Sequence, residues 1–245
     1  MPARYDLIGQ QYSTGRKTDP RIEALIHAQL SHAASVLNVG AGTGSYEPIQ
    51  LSGVSVEPST TMIRQRAPDR FPVVQGQAEY LPFHNQSFDA VMGVMTMHHW
   101  SDVAQGLKEL KRVAGNTIVL MTHDPNHDGF WLDHYLPDRR LLDQNEMPSI
   151  QSITEDLGTS QVLPIPIPFD CLDGFYGAYW RRPQAYLDPN VRRNISLFAR
   201  LPDTEGAMKR LSNDLSNGLW HQQFGHLEKL TFLDLGYRLV VCRLA

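Results

Sequence analysis

Val36-Leu-Asn-Val-Gly40-Ala-Gly42-Thr-Gly44 reads as a short apolar strand that runs into three glycines at alternate positions. Glycine lets a backbone turn sharply and lets a ligand approach where a Cβ would collide. In doubly wound folds ligands lie in the crevice outside the carboxyl ends of parallel strands, so a ligand is expected against this loop. The dinucleotide fingerprint sets its third glycine three residues after the second, whereas here Gly44 follows Gly42 after two, which disfavours a nicotinamide cofactor. No Lys-Ser or Lys-Thr pair follows, which excludes a phosphate-cradling P-loop. Glu57 ends the next apolar run, where a carboxylate accepts hydrogen bonds from both hydroxyls of a ribose. Together the turn and the acid point to an adenosyl ligand.

The rest of the first half has the matching rhythm. Val54-Ser-Val-Glu57, Phe71-Pro-Val-Val-Gln75, Phe88-Asp-Ala-Val-Met-Gly-Val-Met95 and Thr117-Ile-Val-Leu-Met-Thr122 are further runs of strand length. A helix is expected behind the cap Asp19-Pro20, with Ile22, Leu25, Ile26 and Leu30 on its buried face. Another is expected behind Ser101, carrying Val103, Leu107, Leu110 and Val113. Strands alternating with helices give a parallel sheet covered on both faces.

Val36 to Gly44, Val54-Ser-Val-Glu57-Pro-Ser, Gly76-Gln-Ala-Glu79-Tyr-Leu-Pro-Phe83, Phe88-Asp89-Ala-Val and Met97-His98-His99-Trp100 occur in an order and spacing that resemble class I S-adenosylmethionine-dependent methyltransferases. The resemblance is greatest to the broad bacterial group related to ubiquinone and menaquinone methyltransferases, and it covers about residues 5 to 124. It implies a Rossmann-like, doubly wound α/β fold, a mostly parallel sheet with an antiparallel last strand, and S-adenosylmethionine as cofactor. Gly40, Ala41, Gly42 and Gly44 would border its methionine and ribose, Glu57 would hold the ribose hydroxyls, and Met62 would pack on adenine. Gln77 stands where the family commonly has Asp, and its amide oxygen still accepts a hydrogen bond from the adenine amine. Ala78 and Met95 complete the expected wall. Asn38 replaces a usual Asp in the first strand. Tyr12 and Arg16, in a segment resembling the part of these enzymes that closes over the cofactor, are expected at the methionine end.

Three residues are candidates for the chemistry. His98 and His99 follow the fourth strand, and a histidine titrating near neutrality suits general base work. Asp124 follows the fifth and is a candidate substrate contact. The cluster His123-Asp124-Pro-Asn-His127-Asp128 with Asp133-His134 has metal-binding residue types, but His123 and His127 straddle Pro125, so no metal is expected.

The chain has 245 residues, 42% hydrophobic and 20% charged, enough for one large domain with its own core. We expect a single domain over residues 1–245. A net charge of -4 leaves no electrostatic footprint for nucleic acid. Two cysteines, Cys171 and Cys242, make no disulfide framework, and no apolar stretch has the length of a membrane span or a leader, so a cytoplasmic protein without a membrane partner is expected. Beyond residue 124 the alternation lapses. Val162-Leu-Pro-Ile-Pro-Ile-Pro-Phe169 suits only a sheet edge, because proline donates nothing to a ladder. Tyr237-Arg-Leu-Val-Val-Cys242 suits a last strand. Residues 172–234 between them are expected to form a helical insertion over the carboxyl end of the sheet, with Val191, Ile195 and Phe198 on one helix. Phe175, Tyr176, Tyr179, Trp180, Tyr186 and Trp220, with Arg181 and Arg182, are its candidate substrate-pocket residues. The expected activity is methyl transfer to a small molecule by in-line displacement. A noncatalytic S-adenosylmethionine-binding regulator, or an enzyme using the sulfonium for other chemistry, is the alternative.

Overall fold

Five parallel strands set the frame in the computed structural model, which describes residues 16–158 and 160–244. They are β1 (Ser35–Val39), β2 (Ser52–Glu57), β3 (Val73–Gln75), β4 (Phe88–Val94) and β5 (Ala114–His123). The order across the seven-stranded sheet is β3-β2-β1-β4-β5-β9-β6, with β6 (Ser160–Pro164) on the far edge and β9 (Tyr237–Arg243) antiparallel to both its neighbours. Two short strands, β7 (Ile167–Pro168) and β8 (Phe232–Leu233), pair separately. The edge position of β6 meets the expectation set by its prolines. The sheet changes winding direction at β1, which lies between β2 and β4, and this switch point is where an open α/β sheet leaves a crevice.

Successive strand residues point to opposite faces, and here both faces are apolar because both are covered. Val36, Met92, Val119, Met121 and Leu239 join one core with Ile22 and Ile26 of α1 (Pro20–Ala28). Leu37, Val91, Ile118, Leu120 and Val240 join the other with Leu107, Leu110 and Val113. Those three belong to α3 (Val103–Val113), which follows the short α2 (Thr60–Arg64). Asp19 caps α1 as expected, its side chain accepting from Arg21 N, but Leu25 is 40% exposed and lies off the buried stripe.

The cap of α3 is Asp102 rather than Ser101, since the Asp102 side chain accepts from Gln105 N at 2.9 Å. Ser101 is diverted: its amide and hydroxyl both donate to Glu79, at 2.6 and 2.9 Å.

Residues 172–234 are largely helical and include α6 (Pro189–Arg193), α7 (Thr204–Asn217) and α8 (Leu219–Phe224) among 3-10 turns. They pack on the α1 face, where Leu211, Trp220 and Phe198 join the first core. The expected continuous helix through Val191, Ile195 and Phe198 is broken. Asn194 ends α6, Ile195 is extended (φ -109, ψ 99), and a new turn starts at Ser196. Two helices that the periodicity had not disclosed, α4 (Asp138–Glu146) and α5 (Ile150–Leu157), precede β6. α5 packs on the second core through Ile153 and Leu157.

Candidate active site

The glycine turn owes its shape to contacts that only glycine permits. At Gly40 φ is +67, and a Cβ there would stand 1.8 Å from Thr96 Oγ1 at the end of β4. At Gly42 φ is +53, yet the nearest atom to a built Cβ is Met62 Cε at 3.9 Å, so the space beside Gly42 faces a cavity. That cavity measures about 380 Å³, within the range of sites for small molecules and cofactors, and lies at the carboxyl ends of β1 to β4.

Glu57 borders it with 4% exposure. Its two oxygens accept from Gly42 N at 2.8 Å and Ser59 N at 2.9 Å. These two bonds make the acid a brace for the glycine loop at the cavity wall. Ser59 in turn caps α2 by accepting from Met62 N at 3.2 Å, which sets Met62 on the cavity wall.

Beneath the turn lies a buried network for which the sequence offered no signal. Glu47 Oε1 accepts from Asn38 Nδ2 at 3.1 Å, Ser55 Oγ at 2.6 Å and Arg66 at 2.7 Å, while Oε2 accepts from Phe71 N at 3.0 Å. Arg66 also donates to Gly42 O at 3.1 Å, tying the glycine loop to the network. This explains Asn38: an aspartate there would set a second carboxylate against Glu47. Glu79, quoted above without a role, links the loops after β3 and β4 through Ser101. Glu79 itself lines the cavity, next to Gln77 and Ala78.

Of the expected cofactor residues, Arg16, Gly40, Ala41, Gly42, Glu57, Met62, Gln77, Ala78 and Met95 line the cavity. Gly44 does not; its φ of +91 serves the turn itself. Tyr12 lies outside the described residues.

A second cavity of about 90 Å³ shares Arg16 and Met95 with the first. Met95 holds a left-handed backbone (φ +50), unusual for a non-glycine residue, and its amide donates to Met121 O at 2.9 Å. Strain of this kind places its side chain between the two spaces. The histidine pair divides between them: His99 lines the first cavity and His98 the second, with ring centroids 3.8 Å apart.

Asp124 lines neither cavity. Its side chain accepts from Asn126 N at 3.0 Å and closes a turn, because Pro125 forces the chain around at that point. The neighbouring His123 is the residue that reaches the second cavity. Its Nε2 lies 3.1 Å from Leu235 O and donates to it, leaving Nδ1 unprotonated and 3.6 Å from Asp143 Oδ2. Burial, reinforced by Arg139 and His127, holds His123 down to about 3.

The expected aromatic pocket is only partly assembled. Phe175 and Tyr176 line the second cavity, whereas Trp180, Tyr186 and Trp220 are fully buried core. Arg181 stacks on Phe169 and Arg182 on Tyr179, and neither lines the cavity. Its guanidinium groups come from Arg16 and Arg200 instead. Arg139 lies behind the wall, 2% exposed at its side chain, held by Asp133 at 2.5 and 2.6 Å and by Asp143 at 2.6 Å. Burial pushes the Asp133 and Asp143 carboxyls up, against the opposing pull of Arg139.

Residues 37–117 match the family model of the methyltransferase domain. Over nearly its whole length the chain is similar to the crystal structure of a putative methyltransferase from an antibiotic biosynthesis pathway of Anabaena variabilis. Identity is 31%, the match covers 94% of this chain and 99% of that one, and the TM-score is 0.86. The chain therefore belongs to the S-adenosylmethionine-dependent class I methyltransferases, and within them it resembles the quinone methyltransferases. It is 28% identical to the demethylmenaquinone methyltransferase of Deinococcus radiodurans over 66% of this chain and 71% of that protein. It is also 28% identical to rice 2-methyl-6-phytyl-1,4-hydroquinone methyltransferase 1, over 51% of this chain, and spans 41% of the length of that relative. No helix among the described residues is long and apolar enough to cross a membrane.

Proposed function

We propose that the protein transfers the methyl group of S-adenosylmethionine to a small molecule, with the donor in the larger cavity and the acceptor in the smaller one. The observation that carries this reading is the shared wall: Met95 and Arg16 border both spaces, so a donor against Gly42 and Glu57 and an acceptor under the insertion meet at Met95. When bound, S-adenosylmethionine supplies a methyl carbon activated by a sulfonium, and an acceptor lone pair takes that carbon while the carbon–sulfur pair stays on sulfur.

The residues present suit this ligand: a Cβ-free face at Gly42, a carboxylate at Glu57, and apolar Met62 and Ala78 beside Gln77. What remains for the chain is positioning, which can lower a barrier by ~7 to 11 kcal/mol, together with exclusion of water. The small size of the second cavity and the acidic net charge favour a small-molecule acceptor over a nucleic acid.

The test is formation of S-adenosylhomocysteine from S-adenosylmethionine across a panel of hydroxylated and quinol acceptors. Acceptor-dependent formation supports transfer. Binding of the donor with no turnover on any acceptor would favour the regulatory alternative.

A further inference from the structure

The second cavity holds a carboxylate that the cofactor site does not use. Asp143, on α4, is 8% exposed and lines this cavity. Its Oδ2 is fixed by Arg139 at 2.6 Å, with His123 Nδ1 3.6 Å away. Oδ1 receives no protein donor among the described residues, yet it is not sealed off and stays accessible at the cavity wall. Taking the methyl-transfer reading as given, we propose that Asp143 is the general base of the reaction and that the acceptor is a compact hydroxyl compound, held by donating its O–H to Asp143 Oδ1.

Three observations bear on the class of acceptor. An apolar cavity of about 150 Å³ accommodates a benzene ring, so 90 Å³ favours an acceptor smaller than a bicyclic quinol head. The guanidiniums of Arg16 and Arg200 border the same space, each paired with a carboxylate, Asp173 and Glu146, so the donor sulfonium would add the uncompensated cation that disfavours an ammonium acceptor. A buried carboxylate oxygen at such a wall suits a neutral donor, and among these a hydroxyl is the one that can also accept a methyl group after losing its proton.

As the acceptor oxygen bonds to the methyl carbon, the carbon–sulfur bond breaks with its pair left on sulfur, and the hydroxyl proton passes to Oδ1, giving a carboxylic acid that later returns the proton to solvent. The carboxylate is anchored for this by Arg139, so Oδ1 is held without reorganisation. Facing Asp143 are Arg139 on its own helix, Asp133 before that helix, His123 from β5, His98 after β4 and Arg200 from the insertion. Burial raises the Asp143 carboxyl, which brings its basicity nearer to neutral pH.

The test uses the full chain saturated with S-adenosylhomocysteine, labelled with ¹³C at aspartate Cγ, and titrated with hydroxyacetone, a neutral probe with one small hydroxyl. Ethylammonium and 1,4-naphthalenediol serve as contrasting probes. Hydroxyacetone should move the Asp143 resonance and lower its titration midpoint, and the other two should not. Asp143→Asn should weaken hydroxyacetone about tenfold, Asp143→Glu should restore part of the affinity, and both should bind S-adenosylhomocysteine like the parent. An Asp143 resonance that ignores hydroxyacetone, or responds to 1,4-naphthalenediol instead, overturns the proposal. If Asp143→Asn fails to fold, the parent resonance and Asp143→Glu decide. Failure of S-adenosylhomocysteine to bind at all would instead contradict the methyl-transfer reading beneath it.

Discussion

Arg16 Nε lies 2.5 Å from Asp173 Oδ1, a bond that spans 157 positions of sequence and joins the chain before α1 to the start of the insertion. Asp173 is 2% exposed and also accepts from Tyr46 Oη at 2.9 Å. Tyr46 follows the glycine turn, so the pair ties three segments together where the two cavities meet.

Breaking a buried ion pair on one side strands the other charge. Arg16→Met should therefore lower stability by about 3 kcal/mol, and adding Asp173→Asn should recover part of the loss. Urea unfolding of the two single variants and the double variant measures this. Strictly additive effects would show that the two side chains act independently.

The network under the turn makes a different demand. Asn38→Asp sets a carboxylate against Glu47, and the pair cannot both ionise cheaply in a buried site. The folded-state pKa of one acid rises above its unfolded value, so the penalty grows as pH rises. We expect a loss of about 1 to 3 kcal/mol at pH 7 that shrinks toward pH 4, read by denaturant unfolding at both pH values. A variant as stable as the parent at pH 7 would mean that the network relaxes around the new charge.

The sheet was legible because its strands are covered on both faces: Val36-Leu-Asn-Val and Thr117-Ile-Val-Leu-Met are continuous apolar runs with glycine or polar punctuation. Most of the wall of the larger cavity was legible because backbone geometry there demands specific residues, as at Gly40 and Gly42. The smaller cavity was not. Asp143 and Arg139 sit on a helix too polar to show an apolar stripe, since its inward face is itself an ion-pair cluster. Ser101 misled because its hydroxyl answers Glu79, a partner 22 residues away that no local cap rule anticipates. Val191, Ile195 and Phe198 kept helical spacing across a real break at Asn194, because periodicity cannot sense a turn that keeps the same side buried.

His123 should leave a signature in the pH dependence of stability. Its folded-state pKa, about 3, lies below the usual value of 6.5, so between these the unfolded chain binds the extra proton and stability falls as pH falls. The slope from this one group is at most about 1.4 kcal/mol per pH unit. His123→Asn should flatten the parent's curve between about pH 6 and pH 4 in urea unfolding. Parallel curves for parent and variant would place the His123 pKa near its ordinary value.

Glu57→Ala removes the acceptor for two loop amides as well as the one intended for ribose. S-adenosylmethionine affinity should fall about tenfold or more, with a loss of thermal stability in the ligand-free protein as the turn loosens. Calorimetric titration and thermal unfolding measure the two effects separately. An unchanged affinity in a folded variant would remove Glu57 from the cofactor site.

Whether the cavity between the glycine turn and Glu57 receives an adenosyl sulfonium is read by isothermal titration calorimetry with S-adenosylmethionine, S-adenosylhomocysteine and NAD. The geometry predicts one site per chain for the first two ligands, weakened together on Glu57→Ala, and no heat above dilution for NAD. Binding of NAD with no response to either adenosyl ligand would contradict it.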